Sequence, residues 1–224
     1  DPVAELQWKV IVDDLRESGI LQKALVLSDV SGSMSGTPME VSIALGLLIS
    51  ELAPPPFKDL VLTFDSTPVL HHVTGGDLHS RVRNLAAAPW GGSTDFRKAL
   101  ELILTHAKAN SLLPADMPKM LFVISDMQFD QADNSFSTTE HQNMTNLFRQ
   151  GGYDLPTIVY WNVRANTPGF PAPPGPGVVL LSGYSPSLLK LVLEANFEAP
   201  GDLTEPEPEK PNGLEVLQIA LANE

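Results

Sequence analysis

Three side chains that carry oxygen leave one short apolar run at alternate positions: Asp29, Ser31 and Ser33, in the string Ser28-Asp29-Val30-Ser31-Gly32-Ser33. Another hydroxyl, Thr94, closes the string Gly91-Gly92-Ser93-Thr94, and a second carboxylate, Asp126, directly follows the apolar run Met120 to Ser125. A carboxylate at the end of a buried strand is costly to desolvate without a partner. No Lys or Arg lies near Asp29 or Asp126 in sequence, so a cation is the natural partner. Carboxylate and hydroxyl oxygens without His or Cys suit Mg²⁺ or Mn²⁺, and with few anionic ligands such a site keeps waters and an open position.

These groups need a scaffold that brings strand ends together. Short apolar runs bounded by polar residues read as strands at Ala24 to Leu27, Leu60 to Phe64, Val69 to Val73, Met120 to Ser125, Thr157 to Val163 and Val178 to Leu181. Between them, helical patterns run from Pro38 to Ala53, Leu78 to Ala88, Asp95 to Ala109 and Thr139 to Gln150, with another from Ser185 to Phe197. The four-residue connection Asp65 to Pro68 suits an antiparallel hairpin. The alternation predicts an α/β domain: a doubly wound, mostly parallel six-stranded sheet with helices on both faces and one antiparallel edge strand. In that architecture ligands bind beyond the carboxyl ends of the strands, where strand order reverses.

Outside this core, a leading helix over residues 1–19 places Trp8, Val10, Ile11 and Leu15 mostly on one side. The domain proper spans 20–197, and 198–224 reads as an acidic, Pro-rich linker followed by a short amphipathic helix, Leu214 to Ala222. Arg164 to Gly177, rich in Pro and Gly, reads as a structureless surface loop.

Composition narrows the chemistry. The 224 residues carry a net charge of −13, of which −7 falls in 194–224, so phosphate backbones are repelled on average. Direct nucleic-acid binding is not expected. With no cysteine, disulfides, thiol nucleophiles and Cys-ligated zinc are excluded, and a reducing, intracellular and cytoplasmic setting is the simplest expectation. No apolar run approaches the roughly 20 residues of a membrane-spanning helix.

Together, Asp29-x-Ser31-x-Ser33, Thr94 in its Gly-Gly-Ser-Thr loop and Asp126 after a strand resemble a von Willebrand factor A-type domain with a complete metal-ion-dependent adhesion site. The wording Asp-Val-Ser-Gly-Ser-Met is more similar to intracellular members of that group than to integrin inserts, and within them the sequence, including Ser182-Gly183-Tyr184-Ser185-Pro186, resembles the carboxyl-terminal A-like domain of an uncharacterised fungal, plant and viral family. A more distant similarity is to Ro-type RNA-binding proteins, whose A-like domain accompanies a helical-repeat ring. The resemblance implies that Ser31 and Ser33 bind the metal directly, and Asp29, Thr94 and Asp126 directly or through water. The metal would be Mg²⁺, with Mn²⁺ or Ca²⁺ as substitutes, and a partner protein's Glu or Asp would complete the octahedron. The implied function is metal-dependent protein interaction and not catalysis.

Two other functions are weighed against it: a scaffold domain in an RNA-binding ribonucleoprotein, and a Mg²⁺-assisted hydrolase. For the latter, Gly32-Ser33-Met34-Ser35-Gly36 places Met34 where a nucleophile elbow needs serine, and no phosphate-binding glycine loop is present. His71 and His72 are adjacent in a strand and face opposite ways, so they cannot share a metal. His79, His106 and His141 lack ligand spacing, Trp8, Trp90 and Trp161 read as packing residues, and Gln128, Asp130, Asp133 and Asn134 read as a solvated loop.

Overall fold

The computed structural model describes residues 2–19, 21, 23–91, 95–127, 138–164 and 176–184. Six strands form one sheet: β1 (Ala24–Ser28), β2 (Leu60–Thr63), β3 (Leu70–His72), β4 (Met120–Ser125), β5 (Thr157–Asn162) and β6 (Val178–Ser182). Their spatial order is β3-β2-β1-β4-β5-β6, parallel throughout except for the antiparallel β2–β3 pair at one edge. The chain winds outward from β1 through β2 to β3, then returns to the other side of β1 for β4. Strand order therefore reverses between β1 and β4.

Five α-helices accompany the sheet: α1 (Pro2–Ser18), α2 (Thr37–Leu52), α3 (Leu78–Ala86), α4 (Phe96–Ala109) and α5 (Thr138–Gln150). Alternation along the strands sorts the core into two layers, because successive side chains point to opposite faces. Ala24, Val26, Phe122, Ile124, Val159 and Trp161 pack with α1, α2 and α3. Leu25, Leu27, Leu121, Val123, Ile158 and Tyr160 pack with α4 and α5. Burial on both faces is why these strands read as continuous apolar runs and not as alternating ones.

Helix α2 is apolar almost all round and lies against β1, β2 and β4 as well as α1 and α3. Gly46 allows its close approach: a Cβ there would lie 2.6 Å from Ser28 Oγ. Helix α4 starts from Asp95, whose side chain accepts the Lys98 N–H at 3.0 Å. At α3, Asp77 accepts from Ser80 N–H while Ser80 Oγ accepts from Asp77 N–H, a reciprocal cap.

Helix α1 forms over the expected residues but turns a different face inward. Val12 is buried and Trp8 and Leu15 pack beside it, whereas Val10 and Ile11, expected on the inner side, are exposed together with Val3 and Leu6. Polar clasps fix this rotation. Trp8 Nε1 donates to Glu51 Oε2 at 2.9 Å, Arg81 donates to the same oxygen at 2.6 Å, and Glu5 accepts the Leu78 N–H at the start of α3 at 2.7 Å. Among the described residues no helix is long and apolar enough to cross a membrane. The expected elements Ser185 to Phe197 and Leu214 to Ala222, and the linker between them, lie outside the described residues.

Candidate metal centre

Parallel pairing of β1 with β4 runs from Ala24↔Met120 to Ser28↔Ile124, and the Asp29 N–H extends it by one bond to the Ile124 carbonyl at 2.9 Å. Asp29 and Asp126 therefore leave neighbouring central strands at the reversal of strand order, and they are 2% and 1% exposed. Beyond Asp29 the chain is held by buried Val30 and by Met34, which is fully buried. Between these anchors Ser31 is extended, and Gly32–Met34 make one 3-10 turn closed by Met34 N–H on the Ser31 carbonyl at 3.0 Å. Gly36, at φ 91°, redirects the chain into α2.

This local geometry brings the two seryl hydroxyls together: Ser31 Oγ and Ser33 Oγ share a hydrogen bond at 3.0 Å, in which either can donate. Asp29 sits beneath them. Its Oδ1 accepts the Ser31 N–H at 2.8 Å and its Oδ2 accepts the Ser125 hydroxyl at 3.0 Å. Ser125 Oγ in turn accepts the Met127 N–H at 3.1 Å. Met127 has φ 59°, a left-handed conformation that side chains larger than Asn rarely adopt, directly after Asp126. The turn that carries Asp126 is thus tied to the same carboxylate as the turn that carries Ser31.

The surroundings of Asp29 are electrostatically unfavourable. Burial pushes the Asp29 carboxyl above its ordinary range, and the neighbouring charge of Asp126 adds to this, against hydrogen bonds from Ser31 and Ser125 that favour the ionised form. No ion pair neutralises Asp29 among the described residues. Nor do three or more His, Asp or Glu side chains there form a group able to hold a metal. A site here depends on two carboxylates supplemented by hydroxyls.

Thr94 lies outside the described residues, as do Gln128, Asp130, Asp133 and Asn134. The flanks of Thr94's loop are fixed at the carboxyl end of β2: Gly91 N–H donates to the Phe64 carbonyl at 3.0 Å and Asp95 N–H to the Asp65 carbonyl at 3.3 Å. At Gly91 a Cβ would lie 2.8 Å from the Asp65 carboxyl, so glycine permits this approach.

Two residues at the site escape sequence reasoning. Ser125, counted with its strand, holds Asp29. Arg164, assigned to a structureless loop, donates from Nη2 to the Ser33 carbonyl at 2.6 Å. Two of the histidines and all three tryptophans make contacts elsewhere. His71 Nε2 meets Asn84 Oδ1 at 2.9 Å and His106 Nε2 meets the Pro56 carbonyl at 3.1 Å. Besides Trp8, the indoles of Trp90 and Trp161 donate to the carbonyls of Leu85 and Gly183.

Sheet order, crossovers and the single antiparallel edge define a von Willebrand factor A-like, Rossmann-like α/β domain. The crystal structure of the RO (RSR) protein of Deinococcus radiodurans shares this fold at a TM-score of 0.54 and 18% identity, over 78% of this chain and 34% of that one. The chain belongs to the family described as "Domain of unknown function (DUF7788)", whose model matches residues 23–215. It is 39% identical over 197 residues to the uncharacterized protein L728 of Acanthamoeba polyphaga mimivirus. That match takes in 87% of this chain, which spans 34% of the length of the viral relative.

Proposed function

We propose that this domain is a divalent-metal-dependent protein-interaction module, in which Asp29, Ser31, Ser33, Thr94 and Asp126 hold Mg²⁺ and an acidic side chain of a partner protein takes the open position. The observation that carries this reading is the convergence of the Ser31 and Ser33 hydroxyls, hydrogen-bonded to each other at 3.0 Å, above the buried Asp29 carboxylate. Two neighbouring ligands of an octahedral Mg²⁺, each at about 2.1 Å, are themselves about 3.0 Å apart. The donor set fits a hard cation, and the two buried carboxylates below it supply charge that a cation would offset.

Each residue has a separable part. Ser31 and Ser33 present neutral oxygens, which leave a bound cation's charge largely unquenched. Asp29, with an oxygen on each of Ser31 and Ser125, orients the hydroxyl turn. Asp126 contributes the second negative charge, and Thr94 a hydroxyl from the far loop. When bound, the metal supplies the positive centre that an incoming Glu or Asp replaces water to reach. Partner binding then depends on the metal.

Calorimetric titration of Mg²⁺ into EDTA-treated protein should show one site, lost in Ser33→Ala, and a Glu- or Asp-containing partner captured in Mg²⁺ should elute with EDTA. An isotherm identical for Ser33→Ala and the parent would overturn the assignment. A second reading, a scaffold domain in a ribonucleoprotein, is favoured by the fold shared with the RO (RSR) protein. Gel shifts separate the two: RNA retained by a longer protein containing this domain, but not by this chain, supports scaffolding.

A further inference from the structure

We propose that Arg164 is a positioning residue for the metal site: by bracing the Ser33 carbonyl, its guanidinium holds the Ser31 and Ser33 hydroxyls at ligating spacing. This inference rests on the metal-binding reading above. The contact spans 131 residues of sequence and joins the carboxyl end of β5 to the turn after β1.

The root of Arg164 is fixed before its side chain reaches out. Its N–H donates to Asn162 Oδ1 at 2.9 Å, and Asn162 is 2% exposed. The Asn162 carbonyl accepts the Gly183 N–H at 2.8 Å, and the Val163 N–H donates to the Ser125 carbonyl at 3.1 Å. The brace therefore grows from the same strand ends that position Asp126. The other bonds of the turn it reaches are short-range: Ser35 Oγ donates to the Gly32 carbonyl at 2.7 Å, and the Ser31 and Ser33 hydroxyls share a hydrogen bond at 3.0 Å. Cβ atoms built at Gly32 or Gly36 would meet nothing within 4 Å, and Ser31 makes no side-chain cap to the 3-10 turn. Asp29 holds the Ser31 end from below. Arg164 holds the Ser33 end from the side.

Two physical effects of Arg164 oppose each other, which makes the role decidable. A guanidinium beside a divalent cation repels it, so charge alone predicts tighter metal binding when Arg164 is removed. Bracing predicts the reverse, because hydroxyls no longer held in place must be ordered by the metal itself. The structure favours bracing, since the guanidinium donates to the backbone of a residue that supplies a ligand.

The test compares Arg164→Met, which keeps bulk but loses charge and donors, with Arg164→Lys, which keeps a charge and a donor. Calorimetry should show Mg²⁺ affinity about tenfold lower in Arg164→Met, the range of outer-shell changes at metal sites, and largely recovered in Arg164→Lys. In metal-free protein, amide hydrogen exchange at Met34 and Ser35 should quicken in Arg164→Met. Equal or tighter Mg²⁺ binding by Arg164→Met, or unchanged exchange at both amides, overturns the brace. If the parent protein binds no Mg²⁺, the metal reading fails and the positioning role falls with it, whereas parent binding with an insensitive Arg164→Met removes the brace and leaves the site.

Discussion

The carboxyl ends of β1 and β4 and the outer edge at β3 both carry polar residues, on opposite terms. At the centre, Ser28, Asp29, Ser125 and Asp126 are nearly sealed from solvent, and two carboxylates share the space. At the edge, His71 is half-buried and His72 exposed, and one side chain serves the local needs: Asn84 Oδ1 meets His71 Nε2 and accepts the Thr74 N–H at 3.0 Å. The edge cluster closes on itself with no charge confined. The central cluster is organised by hydrogen bonds yet retains unfavourable charge. Polar residues at the centre of a sheet are expensive, and that cost is what the proposed cation would offset.

That contrast is sharpest at Asp126. Replacing it with Asn keeps shape and removes one of two negative charges, so calorimetry should find Mg²⁺ affinity lower by about 100-fold or more, beyond the usual outer-shell range. A parent-like isotherm would erase the distinction between centre and edge.

Asp29 gives an effect of two signs. Its carboxyl titrates above the unfolded value of 3.8. Such a group favours folding fully below the unfolded pKa, and that contribution is lost as pH rises through the folded pKa. Asp29's share of stability in metal-free protein should therefore grow on acidification from neutrality, and saturating Mg²⁺ should restore stability at neutral pH. Asp29→Asn should raise the metal-free melting temperature at neutral pH, flatten its dependence on mild acid and lower Mg²⁺ affinity by about 10- to 100-fold. Thermal melts across pH with and without Mg²⁺ read all three, and a lower neutral-pH melting temperature in Asp29→Asn would show that hydrogen bonding outweighs charge.

The smallest effect belongs to the edge. His71→Ala should cost about 1 kcal/mol in denaturant unfolding, the worth of an ordinary hydrogen bond, and leave the Mg²⁺ isotherm unchanged. A change in metal affinity would mean that the two regions communicate.

Strand β4 was legible to the residue, and the other strands to within one at each end; for β1, β4 and β5 the reason is that double-sided burial writes itself as a nearly unbroken apolar run ending at a polar residue, whereas β3 at the edge was read from its hairpin connection to β2. The same boundary exposed Asp29 and Asp126. Helix α1 was legible in extent but not in rotation: apolar residues lie all around it, and the choice of inner face rests on Glu51 and the start of α3, 43 and 73 residues away. Ser125 was hidden by belonging to its strand. Arg164 opens a stretch rich in Pro and Gly, where composition speaks of loops and says nothing of one long side chain reaching back across the sheet.

Gly46, outside the proposed site, bears on all of this. With no side chain between helix α2 and Ser28, the helix seats directly on the central strand, and the chain between them has little slack. A missing methyl in the third turn of α2 thus couples the seating of that helix to the strand from which the two serines leave.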